Sequence, residues 1–151
     1  MSSELRELYQ SVILDHNKSP RNFCEPVGAN RSAAGVNPLC GDQIVIYLSI
    51  EDGVVVDAGF KGTGCAISRA SASLMTQSIK GKGIDEVERL FGGFHEMVTS
   101  EPGVGVRDEE LGKLSVFSGV REFPVRVKCA TLAWHAMREA LYGTSDTATT
   151  E

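Results

Sequence analysis

The 151 residues suit one domain with one core, and a composition of 42% hydrophobic and 23% charged residues marks a folding sequence rather than a disordered one. Twenty acidic side chains outweigh 15 basic ones for a formal net charge of -5, and no block of Lys or Arg occurs, so nucleic acid is not an expected partner. No apolar stretch approaches the ~20 residues of a membrane span. The start, Met1-Ser2-Ser3-Glu4-Leu5, lacks the basic-then-apolar pattern of a signal peptide. The expected setting is therefore a reducing cytoplasm away from membranes, where four cysteines point to metal or thiol chemistry rather than a disulfide framework.

Ser3 can cap a first helix over about Glu4 to Asn17, whose Leu5, Leu8, Tyr9, Val12 and Ile13 follow the helical period. Pro20 cannot continue it. Near its end, His16 reads as a surface histidine favoured by the helix dipole. Arg21 to Pro26 is a connector in which Cys24 is incidental packing. Val27 to Val36, rich in Gly, Ala and Ser, predicts an extended edge strand. Gln43 to Ile50 alternates with Ile44, Ile46, Leu48 and Ile50 on one face, and Val54 to Phe60 with Val54, Val56, Ala58 and Phe60. The Asp52-Gly53 turn between them predicts a β-hairpin.

Lys61-Gly62-Thr63-Gly64-Cys65 is a glycine-rich turn into a helix from Ala66 to about Lys80, whose small residues suit close approach of another element. The Walker pattern of a phosphate loop is absent. Ile84 to Phe91 predicts a short helix stopped by Gly92-Gly93, with His95 following in a polar setting and no partner at ligand spacing. Asp108 to Phe117 reads as helical. Pro124 opens a last helix reaching about Tyr142, with Val125, Cys129, Leu132 and Ala136 on its core-facing stripe. Residues 144–151 form a polar tail expected to be disordered. The sum is one α+β domain over 1–143, a small three-stranded antiparallel sheet with helices packed on one face.

The chemistry centres on Pro38-Leu39-Cys40-Gly41-Asp42, which puts a thiol and a carboxylate two residues apart in a loop. The hairpin brings Cys40, before its first strand, next to Cys65, after its second, although they are 25 residues apart. Cys65, at a helix start, faces the positive end of the helix dipole, which favours thiolate. Cys129 lies about one turn into the last helix, with Arg126 its neighbour on the helix surface. Cys40, Asp42, Cys65 and Cys129 together make a tetrahedral zinc set, although their wide spacings are unlike the short pairs of zinc fingers. A closed structural zinc domain is a competing reading, and Asp42 argues against it because closed sites are mostly Cys and His.

The motifs Leu14-Asp15-His16 with Pro20-Arg21-Asn22, Asn37-Pro38-Leu39-Cys40-Gly41-Asp42, Phe60-Lys61-Gly62-Thr63-Gly64-Cys65-Ala66-Ile67-Ser68 and Phe123-Pro124-Val125-Arg126-Val127-Lys128-Cys129-Ala130 span nearly the whole chain. In that order they resemble the SufU/IscU family of iron–sulfur cluster assembly proteins, whose domain is NifU N-terminal-like. Two features look SufU-type. Lys128 stands where IscU-like chains carry His, and the stretch from Met97 to Val120 looks like the SufU insertion. The resemblance implies zinc held by Cys40, Asp42, Cys65 and Cys129, and a sulfurtransferase-like role with a PLP-dependent, SufS-like cysteine desulfurase. In that picture a desulfurase histidine displaces Cys40 from zinc, Cys40 accepts the persulfide sulfur, and Arg126 pairs with Asp42 as that carboxylate loosens. Downstream would stand a SUF scaffold or apo iron–sulfur proteins. The alternative it carries is a scaffold on which the same residues hold iron or a transient [2Fe–2S] cluster.

Overall fold

The frame of the molecule is the predicted hairpin, seen here in a computed structural model that describes residues 3–100, 109–143 and 148–149. Strand β2 (Asp42–Glu51) pairs antiparallel with β3 (Val54–Thr63), and β1 (Arg31–Asn37) pairs antiparallel with the other edge of β2. Asp52 and Gly53 both take positive φ, 51° and 76°, the twist that a two-residue hairpin turn needs. The three-stranded antiparallel sheet is thus present. Beside β1, Ala148–Thr149 (β4) adds two residues in parallel, against Gly35 and Val36. The remainder of the expected tail lies outside the described residues.

Residues Ile44, Ile46 and Leu48 point into the core as the alternation predicts. On β3 the alternation fails. Ser49 pairs with Asp57 but Ile50 pairs with Val55, so Val56 is an extra, bulged residue. Val55, Ala58 and Phe60 are buried while Val56 is exposed. The first strand begins later than the expected Val27, at Arg31, and Val27 stands in solvent.

Helices α2 (Ala66–Ile79) and α4 (Pro124–Leu141) cover one face of the sheet, α4 over β1 and β2 and α2 over β3. Their mutual approach explains the small residues of α2. Ser71 Oγ donates to Ala130 O at 2.5 Å and accepts Trp134 Nε1–H at 3.2 Å. Helix α1 (Ser3–Lys18) packs on α2 through the partly buried Tyr9, Val12 and Ile13, and leaves Leu8 exposed.

Two helical expectations need correction. Helix α3 runs from Ile84 to Thr99, straight through Gly92-Gly93, so those glycines do not stop it. A glycine inside a helix costs about 1 kcal/mol against alanine. Burial of Leu90, Phe94, Met97 and Val98 on the same helix outweighs that, since one large apolar side chain is worth about 1.5–3 kcal/mol. The expected helix over 108–117 is instead a 3-10 segment, Glu109–Glu122, broken at Gly112 (φ 50°, ψ -120°). It still serves the core. Leu111, Leu114 and Phe117 are buried, Phe117 packs edge-on to Phe94 at 5.7 Å, and Phe94 stacks on Trp134 at 4.5 Å. Residues 101–108 of the expected insertion lie outside the described residues.

Candidate metal centre

Four residues, Pro38 to Gly41, connect β1 to β2, and the register closes them tightly because Asn37 pairs with Asp42. Cys40 N–H donates to Asn37 O at 3.2 Å, and Gly41 turns the chain with φ 72°. The result lifts Cys40 onto a loop where it is half-buried, and starts β2 with a fully buried Asp42. Across the hairpin, Cys65 caps the N-terminus of α2. Its backbone N–H donates to Asp42 Oδ1 at 2.9 Å, so the carboxylate is already oriented by the helix end. Gly64 permits this approach, because a Cβ there would collide with Ser68 Oγ and sit 3.1 Å from Asp42 Oδ1.

The stripe on α4 delivers the third thiol. Cys129, Leu132 and Ala136 are buried as predicted, but Val125 is exposed because the first turn of α4 projects beyond the core. Cys129 Sγ comes to 3.5 Å of Cys40 Sγ. Cys40, Asp42 and Cys129 offer ligand atoms within 4.8 Å of one another, the one such group of His, Cys, Asp or Glu found among the described residues. Cys65 stands one step outside this trio, with Sγ 3.9 Å from Asp42 Oδ2 and 3.7 Å from Ser68 Oγ. Thus all four predicted ligand residues converge, three tightly.

The electrostatics suit a cation. Burial pushes the Cys129 thiol far above its usual value, and the neighbouring Cys40, Cys65 and Asp42 push it further. Packed sulfur and carboxylate donors of this kind ionise together only around positive charge. Arg126 supplies some from the rim. Its guanidinium faces Cys129 and feels the Cys65 and Cys40 thiols, which raises its already high pKa. The donor set, three sulfurs and one oxygen, fits zinc, and thiolates also suit iron–sulfur clusters.

Other singled-out residues lie elsewhere. Contrary to the surface reading, His16 is buried, with Nδ1 2.7 Å from Ser73 Oγ, which also accepts Arg21 N–H at 2.8 Å. That bond pins the end of α1 to α2, while Asp15 and Arg21 pair on the outside at 2.7 Å. Burial lowers the His16 pKa. Cys24 is exposed and apart from the cluster. His95, on α3, stacks on Phe91 with ring centroids 5.9 Å apart and sits 5.9 Å from His135, away from the thiols. Sequence reasoning missed Asn37, which is fully buried with its Nδ2 3.8 Å from Cys129 Sγ. No periodicity flags a polar residue at a strand end as buried. Among the described residues, no helix is long and apolar enough to cross a membrane.

Comparison with known proteins gives the family. The family described as NifU-like N terminal domain matches residues 8–130, a span that holds all four candidate ligands. The zinc-dependent sulfurtransferase SufU of Bacillus subtilis (strain 168) is 40% identical over 143 residues, 93% of this chain and 93% of that protein. The iron–sulfur cluster assembly scaffold protein IscU of Streptococcus pyogenes serotype M1 is 38% identical over 139 residues, 92% of this chain and 86% of that protein. A crystal structure from the thermophile Fervidobacterium islandicum AW-1, described as a candidate cluster assembly scaffold for the SUF system, superposes with a TM-score of 0.80 at 31% identity. It covers 93% of this chain and 99% of that one. With the three cysteines and the aspartate carried on a matching fold, this chain belongs to the NifU-like N-terminal domain family, the SufU/IscU proteins of iron–sulfur cluster assembly.

Proposed function

We propose that this chain works in iron–sulfur cluster assembly as a zinc-dependent sulfur acceptor, taking persulfide sulfur from a cysteine desulfurase on Cys40. The observation that carries the reading is the asymmetry of the cluster. Cys129 is fully buried on a helix, whereas Cys40 is half-buried on a four-residue loop, within 3.5 Å of Cys129 Sγ. A thiol that must reach a sulfur held by another protein needs such a partly accessible, loop-borne position, whereas Cys65, also half-buried, is fixed at the start of α2. The zinc-dependent Bacillus subtilis relative supports the same reading.

A zinc ion held by Cys40, Asp42, Cys65 and Cys129 would keep their thiols deprotonated at neutral pH. The transfer itself is thiol exchange. The Cys40 thiolate attacks the outer sulfur of the donor's persulfide, a new S–S bond forms on Cys40, and the donor's S–S bond breaks. Its electron pair leaves on the donor cysteine as thiolate, with no net oxidation or reduction. Arg126, on the rim, balances negative charge as Cys40 engages the donor, and pairs with Asp42 when that carboxylate loosens. The sulfur then passes to a SUF scaffold or to apo-proteins.

A second reading is that the same thiols hold a transient [2Fe–2S] cluster, favoured by the scaffold roles named for the Streptococcus pyogenes and Fervidobacterium islandicum relatives. Single Cys→Ser variants, mixed with a cysteine desulfurase and cysteine and followed by mass spectrometry, test the acceptor assignment. Cys40→Ser is expected to lose at least about nine-tenths of the transferred sulfur, because a hydroxyl at this site stays protonated and is a weak nucleophile. Cys24→Ser should transfer like the wild type. Sulfur at wild-type levels on Cys40→Ser would overturn the assignment.

A further inference from the structure

Asn37, the last residue of β1, is fully buried, yet only half of its side-chain amide is satisfied. Its Nδ2 donates to Cys129 Sγ at 3.8 Å, a long hydrogen bond to the large sulfur atom. Its Oδ1, also buried, has no hydrogen-bond partner among the described residues. An orphaned buried acceptor is disfavoured, and a leucine of similar size would avoid it, so shape alone does not account for an amide here. The main chain of the same residue holds the other side of the cluster. Asn37 O accepts the Cys40 N–H at 3.2 Å, and Asn37 pairs with Asp42 across the β1–β2 register. Asn37 thus reaches Cys129 through its side-chain amide and Cys40 through its carbonyl, and is the ladder partner of Asp42.

We propose that Asn37 is a positioning residue of the metal centre. Its side-chain N–H keeps Cys129 as the fixed sulfur ligand, while its carbonyl ties the base of the loop from which Cys40 is released. A hydrogen bond donated to a ligating atom fixes its direction and stabilises its charge, and losing such a partner typically weakens metal binding about 10–100-fold. The asymmetry follows from geometry. Cys129 receives a side-chain donor on the sulfur itself, whereas Asn37 reaches Cys40 at the backbone N–H. This inference rests on the metal-centre reading above.

The test loads the full-length wild type, Asn37→Leu and Asn37→Asp with zinc, and separately with cobalt(II). Zinc affinity is measured by chelator competition and cobalt by its thiolate-to-metal charge-transfer bands. Both variants are expected to hold zinc about 10–100-fold more weakly, with Asn37→Asp the weaker because a carboxylate cannot donate and adds negative charge. Their cobalt bands should move to longer wavelength, because the sulfur lone pairs lose a stabilising donor. Wild-type affinity and unshifted bands in Asn37→Asp, which keeps the side-chain shape, would overturn the proposal, and that variant decides if Asn37→Leu fails to fold. A wild type that binds neither ion would instead overturn the metal-centre reading itself.

Discussion

Stripping the metal from the loaded protein should lower its melting temperature by about 10 °C at neutral pH while leaving it folded at room temperature. Structural zinc in small peptides contributes about 10–16 kcal/mol, and those peptides do not fold without it. Here the core of Ile44, Ile46, Phe60, Phe94 and Trp134 exists independently of the site, so only part of that dependence remains. A residual loss of about 3 kcal/mol corresponds to roughly 6–12 °C in a domain of this size. The loss should grow in alkali. In the metal-free fold the Cys129 proton is held above the ordinary thiol value of 9.0 by burial and by its neighbours. The unfolded chain releases that proton near its ordinary value. Above it the unfolded state binds fewer protons than the folded one, so stability falls as pH rises. Below it that contribution is intact. Loaded protein, with its thiols already ionised on the metal, should lack this alkaline loss. Thermal melts of loaded and verified metal-free protein between pH 7 and 10 check both statements. Identical curves would contradict them.

Gly62→Ala is expected to cost about 3 kcal/mol or more and to lose metal binding with the fold. Gly62 sits at φ 130°, and a Cβ there would strike the Gln43 carbonyl and come within 3.0 Å of Ile44 Cα, both backbone groups. Because Ile44 and Gly62 are direct partners across the hairpin, relief requires opening the β2–β3 ladder beside the site. Gly64→Ala makes the contrasting case. Its Cβ would meet the side chains of Ser68 and Asp42, which can move, so metal affinity should fall while the sheet survives. Denaturant unfolding alongside zinc titration separates the two variants. A Gly62→Ala protein with wild-type unfolding midpoint would refute the strain argument.

What could be read from residues alone followed local rules. Asp52-Gly53 announced the hairpin and Pro124 the start of α4, and the expected convergence across the hairpin is seen as Cys65 against Asp42, two residues from Cys40. The misses were decided by tertiary structure. The bulge at Val56 shifts a whole face by one residue, and no composition signal marks it. Gly92-Gly93 stayed helical because Phe94 and Met97 had a core to enter. His16 is buried by Ser73, 57 residues away, and Asn37 by Cys129, 92 residues away. Neither partner is foreseeable from the sequence around either residue. At the site the candidate ligands could be singled out because thiol and carboxylate donors are chemically specific. The closer grouping of Cys40, Asp42 and Cys129, with Cys65 beside Asp42, was not.

The resting metal is read most directly by purifying the protein without oxygen and determining zinc, iron and acid-labile sulfide together with the visible spectrum. Lys128, the residue before Cys129, presents an ammonium that cannot coordinate a metal while protonated, so the proposed zinc site draws on the three thiols and Asp42 alone. About one zinc per chain and no visible colour are expected, because zinc is a d10 ion without redox chemistry. Stoichiometric iron and sulfide with a stable visible band would contradict that expectation and make the chain a cluster scaffold.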